Sequence, residues 1–115
     1  MTTATYREVD QFFANEEATK AAERAITTML LKYGSEPMYC GFAWISYPER
    51  IRKNSQTAKA LAAIGFHWND YLKRMEKHSP YRGQSMDFAE ASCRAYADKF
   101  EEITGLKLVV RSRAD

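Results

Sequence analysis

The chain has 115 residues, of which 45% are hydrophobic and 28% are charged, and these proportions suit one globular domain with its own core. Its longest uncharged runs are far shorter than the roughly 20 apolar residues that a membrane-spanning helix needs, and the first five residues lack the features of a signal peptide. We therefore expect a cytoplasmic protein with no membrane partner. The formal net charge of +2 is lower than that of most strong nucleic-acid binders.

Two helices are predicted in an N-terminal helical part, residues 1–36. Thr5 and Glu8 have the spacing of a capping box, which favours a short helix through Phe12 and Phe13. A longer helix is expected to begin at Asn15, because apolar residues then recur at steps of three and four as far as Gly34: Ala18, Ala22, Ile26, Met29, Leu30 and Tyr33.

Residues 38–47 form the clearest predicted strand, and Pro48 ends it. Alternate positions divide its side chains into two faces, with Met38, Cys40, Phe42 and Trp44 on one and Tyr39, Ala43, Ile45 and Tyr47 on the other. Both sets are apolar, which is typical of a central strand covered on at least one face. We expect Trp44 to lie in the core, and Cys40 and Cys93 to be reduced, buried thiols.

The middle of the chain contains one clear helix and one ambiguous segment. A helix is predicted from Asn54 or Ser55 to Ile64. Residues 66–77 favour a β-hairpin that turns at Asn69 and Asp70. The alternative is a short helix capped by Asn69, which would bring Asp70 and Arg74 within one turn.

The C-terminal third predicts a loop, a long helix and a strand. Residues 78–83 contain proline and glycine without apolar periodicity, which indicates a loop. A helix is expected from Ser85 or Asp87 to Gly105, residues 106–111 alternate like a strand, and residues 113–115 read as a polar tail. The whole predicts a single α+β domain of three or four helices on a small, mainly antiparallel sheet, with residues 38–111 as its α/β core.

Positive charge is concentrated in residues 48–82, which carry eight basic and three acidic side chains. Aromatic residues stand among the cations, and that combination suits phosphates and stacked bases. The predicted partner-binding residues are Arg50, Arg52, Lys53, Trp68, Tyr71, Lys73, Arg74, Lys77, Tyr81 and Arg82.

A second candidate lies at the start of the last helix, because backbone N–H groups at a helix N-terminus attract anions. The predicted anion-binding residues are Arg82, Gly83, Gln84, Ser85, Arg111 and Arg113. The alternative is that Gly83 only turns the chain while Ser85 caps the helix. The segment lacks the two glycines and Lys-Ser/Thr pair of a phosphate-binding loop, which excludes nucleotide hydrolysis by that device.

The sequence contains no catalytic or metal-binding signature. His67 and His78 have no recognisable partner in sequence, and Cys93 falls on the apolar stripe of a helix, where cysteine is usually part of the core. We therefore predict that the protein is not an enzyme and needs no metal or cofactor.

Five segments carry a resemblance to a known group: Gly41-Phe-Ala-Trp-Ile, Gly65-Phe-x-Trp, Gly83-Gln-Ser-Met-Asp, the alanine-rich helix that follows, and Arg111-Ser-Arg-Ala-Asp115. Over residues 38–115 the chain resembles small uncharacterised proteins encoded by tailed bacteriophages. The resemblance implies a non-enzymatic effector in the host cytoplasm that binds a host protein, a nucleic acid or a signalling nucleotide. It supplies no catalytic residue.

Two functional hypotheses follow. The first is a binding protein that presents its basic, aromatic surface to nucleic acid or to a host protein that handles nucleic acid or acts in defence. The second is a small-ligand pocket at Arg82, Gly83, Ser85, Arg111 and Arg113 that sequesters a nucleotide or acts weakly on a phosphorylated small molecule. Either hypothesis is compatible with a homo-oligomer.

Overall fold

The computed structural model describes residues 8–34 and 40–114. Within these ranges the chain forms three helices and four strands: α1 (Glu8–Tyr33), β1 (Gly41–Ser46), α2 (Gln56–Ala63), β2 (His67–Asn69), β3 (Arg74–His78), α3 (Met86–Thr104) and β4 (Val109–Ala114). The predicted α+β class is confirmed, as is a hairpin formed by β2 and β3. Its turn covers residues 70–73, instead of lying at Asn69 and Asp70 as predicted.

The four strands form one sheet in the order β2-β3-β1-β4, and every neighbouring pair is antiparallel. From β1 onward the connectivity is β-α-β-β-α-β with β1 and β3 in the centre, which is the split βαβ arrangement. In the register of the sheet, Trp44 of β1 lies opposite His78 of β3 on one side and opposite Arg111 of β4 on the other.

The core lies between the sheet and the helices. Ala43, Ile45 and Tyr47 are buried at alternate positions, and they belong to the same cluster as Leu61 of α2 and Phe100 of α3. Helix α1 packs on α3 and touches α2, so all three helices lie on this side of the sheet.

The opposite side of the sheet is called the open face, because no helix within residues 8–34 and 40–114 packs against it. Strand alternation and register assign these side chains to it: Phe42, Trp44, Ser46, His67, Asn69, Arg74, Glu76, His78, Val109, Arg111 and Arg113.

The ends of α2 and α3 follow their local sequence. The Ser55 hydroxyl accepts a hydrogen bond from the backbone N–H of Ala58 at 3.2 Å, and the Ser85 hydroxyl accepts one from Phe88 at 3.4 Å. Each satisfies a donor that the helix itself cannot pair. Gly105 adopts a left-handed conformation with φ of 79°, and its N–H donates to the carbonyl of Glu101. These helices are therefore bounded by short-range chemistry.

The N-terminal helices were predicted wrongly as two. Helix α1 continues without a break through Asn15, whose side chain accepts a hydrogen bond from the Tyr96 hydroxyl instead of capping a new helix. Fully buried alanines at Ala14, Ala18 and Ala22 give one continuous face for contact with α3, which explains the single helix. Thr5 of the predicted capping box lies outside the described residues.

The predicted strand bounds also need correction. Strand β4 is displaced towards the C-terminus and includes part of the predicted polar tail, because Ala114 and Arg113 pair with Gly41 and Phe42 of β1. His78, assigned to a loop, is the last residue of β3, opposite Trp44. Antiparallel pairing with β1 decides where β3 and β4 begin and end, and this pairing cannot be derived from the residue pattern of one strand.

Two residues predicted for the core lie elsewhere. Trp44 is only half-buried because it lies on the open face, and Cys40 is exposed and forms an isolated β-bridge with Ser85. Cys93 is fully buried, as predicted. Residues 38 and 39 of the predicted strand lie outside the described residues.

Burial of Cys93 predicts a loss of stability at alkaline pH. Desolvation raises the pKa of its thiol from an ordinary 9.0 to about 11, so between these values the folded state holds a proton that the unfolded state has lost. The free energy of unfolding should therefore fall as pH rises through this window, by about 2 kcal/mol for this group. Chemical denaturation at several pH values measures the fall.

The control is Cys93→Ala, measured over the same pH values. This variant lacks the thiol, so it should lose less stability between pH 9 and 11, even though its cavity lowers stability at every pH. Equal slopes in the two proteins would show that Cys93 titrates alike in the folded and unfolded states.

Candidate functional site

A cleft of about 570 Å³ opens at the end of the sheet where β1 finishes and β3 begins. It is bounded by the chain after β1 and by the β2–β3 turn, and is called the basic cleft. Its lining residues are Pro48, Glu49, Arg50, Ile51, Arg52, Lys53, Trp68, Leu72, Lys73 and Arg74.

The first wall of the basic cleft forms where the chain leaves the sheet. The backbone N–H of Tyr47 donates to the carbonyl of Met75 at 3.0 Å, and Pro48 follows, which has no N–H to continue the ladder. A turn that closes with Ser55 N–H donating to the Arg52 carbonyl at 3.1 Å then leads into α2. Residues 50–53 are thereby held beside the sheet end with their side chains in or near solvent.

The second wall is the β2–β3 turn, which Asn69 organises. Its side-chain oxygen accepts hydrogen bonds from the N–H groups of Tyr71 and Leu72, both at 2.9 Å, as asparagine commonly does in turns. Lys73 closes the turn in a left-handed conformation with φ of 58°. The turn presents Tyr71 to solvent with 91% of its surface exposed.

The lining of the basic cleft is strongly positive. Five cations and one carboxylate line it, and only Lys53 has an ion pair, with Asp70 at 4.0 Å, in the part of the chain that the structure describes. Both members of that pair are exposed, and such pairs contribute little in water. The other four cations, Arg50, Arg52, Lys73 and Arg74, remain available to an anionic ligand.

Trp68 and Ile51 supply an apolar surface between these cations. Both are half-buried and pack against the hydrophobic core. The indole N–H of Trp68 donates to the Asp70 carboxylate at 3.1 Å, which fixes the ring at the edge of the basic cleft. The combination offers charge for phosphates and a flat ring for a base or an aromatic side chain.

The structure brings six of the ten predicted partner-binding residues to the basic cleft and places Tyr71 on the adjoining turn. Lys77 instead points to the helical side of the sheet, where its ammonium donates to the Ile64 carbonyl at 2.9 Å. It lies 5.9 Å from the ring centre of Phe66 and 5.7 Å from that of Tyr96, and burial lowers its pKa. This lysine is held by the core.

Tyr81 and Arg82 are also separate from the basic cleft. The half-buried Tyr81 ring lies 5.5 Å from that of Phe88, and its hydroxyl accepts a hydrogen bond from Ser85 N–H at 3.4 Å. Arg82 lines another groove with Thr19 and Glu23 of α1.

Each of the two described grooves that contains a predicted anion-binding residue contains only one of the six, Arg82 or Arg113. Ser85 is buried and caps α3, while Gly83 and Gln84 are exposed in the preceding loop. Arg111 and Arg113 belong to the open face, and Arg113 lines a groove there that excludes Arg82. The capping interpretation of Ser85 therefore describes this helix start.

The open face carries a groove that sequence reasoning missed. Its volume is about 350 Å³, and Phe42, Trp44, His67 and His78 line it. The two histidines are eleven positions apart in sequence, yet the hairpin brings their ring centres to 5.0 Å. The strand alternation of β1 already grouped Phe42 with Trp44, but it could not show that this side lacks a covering helix.

No group of three possible metal ligands is found within the residues that the structure describes. None of the described helices is both long and apolar enough to cross a bilayer. Comparisons with protein-family models, with curated proteins and with solved structures give no match to this chain.

Proposed function

We propose that the protein is a non-catalytic binding protein that holds nucleic acid in the basic cleft. The observation that carries the proposal is the convergence of five cations and a tryptophan, from two separate segments, on one cleft with a single lining carboxylate. Phosphate backbones bind to such surfaces mainly by displacing their condensed counterions.

A polymer fits the basic cleft better than a small phosphate does. Four of its cations are exposed at separate positions around it, namely Arg50, Arg52, Lys53 and Lys73. Each can therefore contact a different phosphate group of a nucleic-acid strand. A site for one small anion instead converges buried, fixed donors on a single point. The exposed Tyr71 extends the aromatic surface beside the opening.

The test is binding of a fluorescent mixed-sequence oligonucleotide, followed by anisotropy at increasing salt. If the five lining cations each contact a phosphate, affinity should fall by about 100-fold between roughly 50 and 200 mM salt, since each contact in a single strand contributes about 0.7 to the slope. Absence of binding at the lower salt concentration would contradict the proposed function.

Reversal of two charges should weaken binding without unfolding the protein. For Lys73→Glu combined with Arg74→Glu we expect the affinity at moderate salt to fall by about 10-fold or more, because two attractive contacts become repulsive. The matched control is Arg94→Glu with Lys107→Glu, which changes net charge equally at exposed positions outside the basic cleft. Equal losses in both variants would assign binding to net charge instead of this cleft.

An acidic surface of another protein would engage the same cations. A protein of this kind encoded by a bacteriophage would act on host nucleic acid or on a host protein that handles it. Pull-down from a host lysate with and without nuclease separates these cases, because a partner bridged by nucleic acid is lost after digestion. A partner that persists after digestion would favour direct contact with protein.

A further inference from the structure

The open face presents its side chains in rows that cross the strands. Trp44 lies in one row between His78 and Arg111, and Phe42 lies in the next row opposite Arg113. His67 on the edge strand places its ring 5.0 Å from that of His78. The aromatic rings of β1, β2 and β3 therefore lie side by side, and the guanidinium groups of β4 adjoin them.

Three of these four rings are exposed, and that of Trp44 is half-buried. Phe42 has 51% of its surface exposed, although it lies on a central strand, and both histidines are exposed. The groove of about 350 Å³ is lined by the aromatic side chains Phe42, Trp44, His67 and His78, and also by Ala43, Glu76 and Arg113. A cavity of this size and lining accepts a flat heterocyclic ring.

The charge of the open face suits an anionic chain. Arg74, Arg111 and Arg113 form no ion pair among residues 8–34 and 40–114. The one carboxylate, Glu76, is buried and accepts hydrogen bonds from Asn69 at 3.0 Å and from Ser46 at 3.4 Å. Arg74 also lines the basic cleft, so positive charge continues from one site to the other.

Two hydrogen-bond donors in the central row lack acceptors. The Trp44 indole N–H and the Arg111 Nε–H are buried, and neither has a partner within the described residues. They belong to residues directly opposite each other in the sheet. Because an unpaired buried donor is unfavourable, an oxygen of a bound base or phosphate that reaches them through a small side-chain rotation would be stabilised.

We propose that the open face is a stacking platform for the unpaired bases of single-stranded nucleic acid. This inference rests on the proposed function, in which the basic cleft holds phosphates of the same strand. Unpaired bases stack on aromatic side chains with little dependence on sequence. Duplex bases are already stacked on one another, so the platform would select single strands.

The test compares alanine variants of two phenylalanines whose exposed fractions are similar. Phe42→Ala should lower affinity for oligo(dT) and oligo(rU) by about 10-fold and leave binding of a duplex unchanged, since one stacked base is lost. The matched control is Phe13→Ala on α1, where the side chain is 55% exposed. Helix α1 packs on α3 and α2 and contacts none of the four strands. Phe13→Ala should bind all three ligands like the original protein.

Intrinsic fluorescence gives a second readout, because the chain has two tryptophans. In Trp68→Phe the emission comes from Trp44 alone, and saturation with oligo(dT) should quench it. Oligonucleotide binding with unchanged Trp44 emission and a neutral Phe42→Ala would overturn the platform while leaving the basic cleft as the site. No binding by the original protein would overturn both proposals.

A second copy of the chain is the other possible occupant of the open face. Sedimentation of the original protein and of Phe42→Ala distinguishes it. We expect a monomer in both cases. A dimer that dissociates in Phe42→Ala would show that the face is covered by another copy, and would overturn the stacking platform.

Discussion

Phe100→Ala is expected to lower the free energy of unfolding by about 4 kcal/mol. Phe100 is fully buried on α3, and its ring stacks on that of Tyr96 with centres 5.8 Å apart and an interplanar angle of 10°. Removing the ring reduces the apolar surface area that folding removes from water, and it also leaves a cavity among side chains of α3 and the sheet. Urea denaturation followed by circular dichroism measures the change.

The control for Phe100→Ala is Phe12→Ala on α1, where the side chain is 49% exposed. That variant should change the free energy of unfolding by about 0.5 kcal/mol or less. Phe100→Leu should lie between them, because it retains most of the apolar volume. If Phe100→Ala were as stable as Phe12→Ala, the assignment of Phe100 to the core would be wrong.

Gly41→Val is expected to destabilise the protein by about 3 kcal/mol and to weaken binding at the open face. A Cβ atom at Gly41 would lie 2.6 Å from Met86 Sδ, 2.8 Å from the Arg113 carbonyl oxygen and 2.9 Å from Met86 Cβ. One of these neighbours is backbone of β4, so the β1–β4 pair must shift. Valine adds two further methyl groups to a position that has no space for the first.

The neighbouring exposed residue provides the comparison for Gly41→Val. Phe42→Ala removes atoms on the open face and adds none, so its midpoint in thermal denaturation should stay near that of the original protein. Since Arg113 pairs with Phe42, the shift in Gly41→Val should displace this arginine and lower oligonucleotide affinity in the fraction that remains folded. Unchanged stability of Gly41→Val would show that β1 and β4 approach less closely here.

The basic cleft illustrates how far charge patterning leads. Residues 48–82 contain a clear excess of cations in sequence, and six of the ten residues chosen on that basis line one cleft. Lys77 shows the limit, because it alternates along β3 onto the helical side and donates to Ile64. The direction of a side chain in a strand depends on register, and register depends on pairing partners.

The open face shows a second limit. The pattern of residues 38–47 is apolar on both sides, which is typical of a central strand covered on at least one face, and we expect Trp44 in the core on that basis. In the structure α2 and α3 both cross on the same side of the sheet, so Phe42 is exposed and Trp44 is only half-buried. Contiguous exposed apolar surface, such as that of the aromatic side chains on β1, commonly marks an interaction site.

The sequence by itself determined the elements whose signals are local. Ser55 and Ser85 mark the starts of α2 and α3, Gly105 ends α3, and Asn69 makes the turn of the hairpin. Each depends on hydrogen bonds or backbone conformations within about four residues, so a single chain segment contains the information.

Only the tertiary structure decided which surfaces meet and which stay uncovered. The pairing of β4 with β1 extended the last strand through Ala114, and the hairpin brought His67 beside His78. The placement of α1, α2 and α3 on one side of the sheet left the open face without a covering helix among the described residues. The physical reason is that these features arise from contacts between residues far apart in sequence, whose free energy depends on the packing of the whole fold.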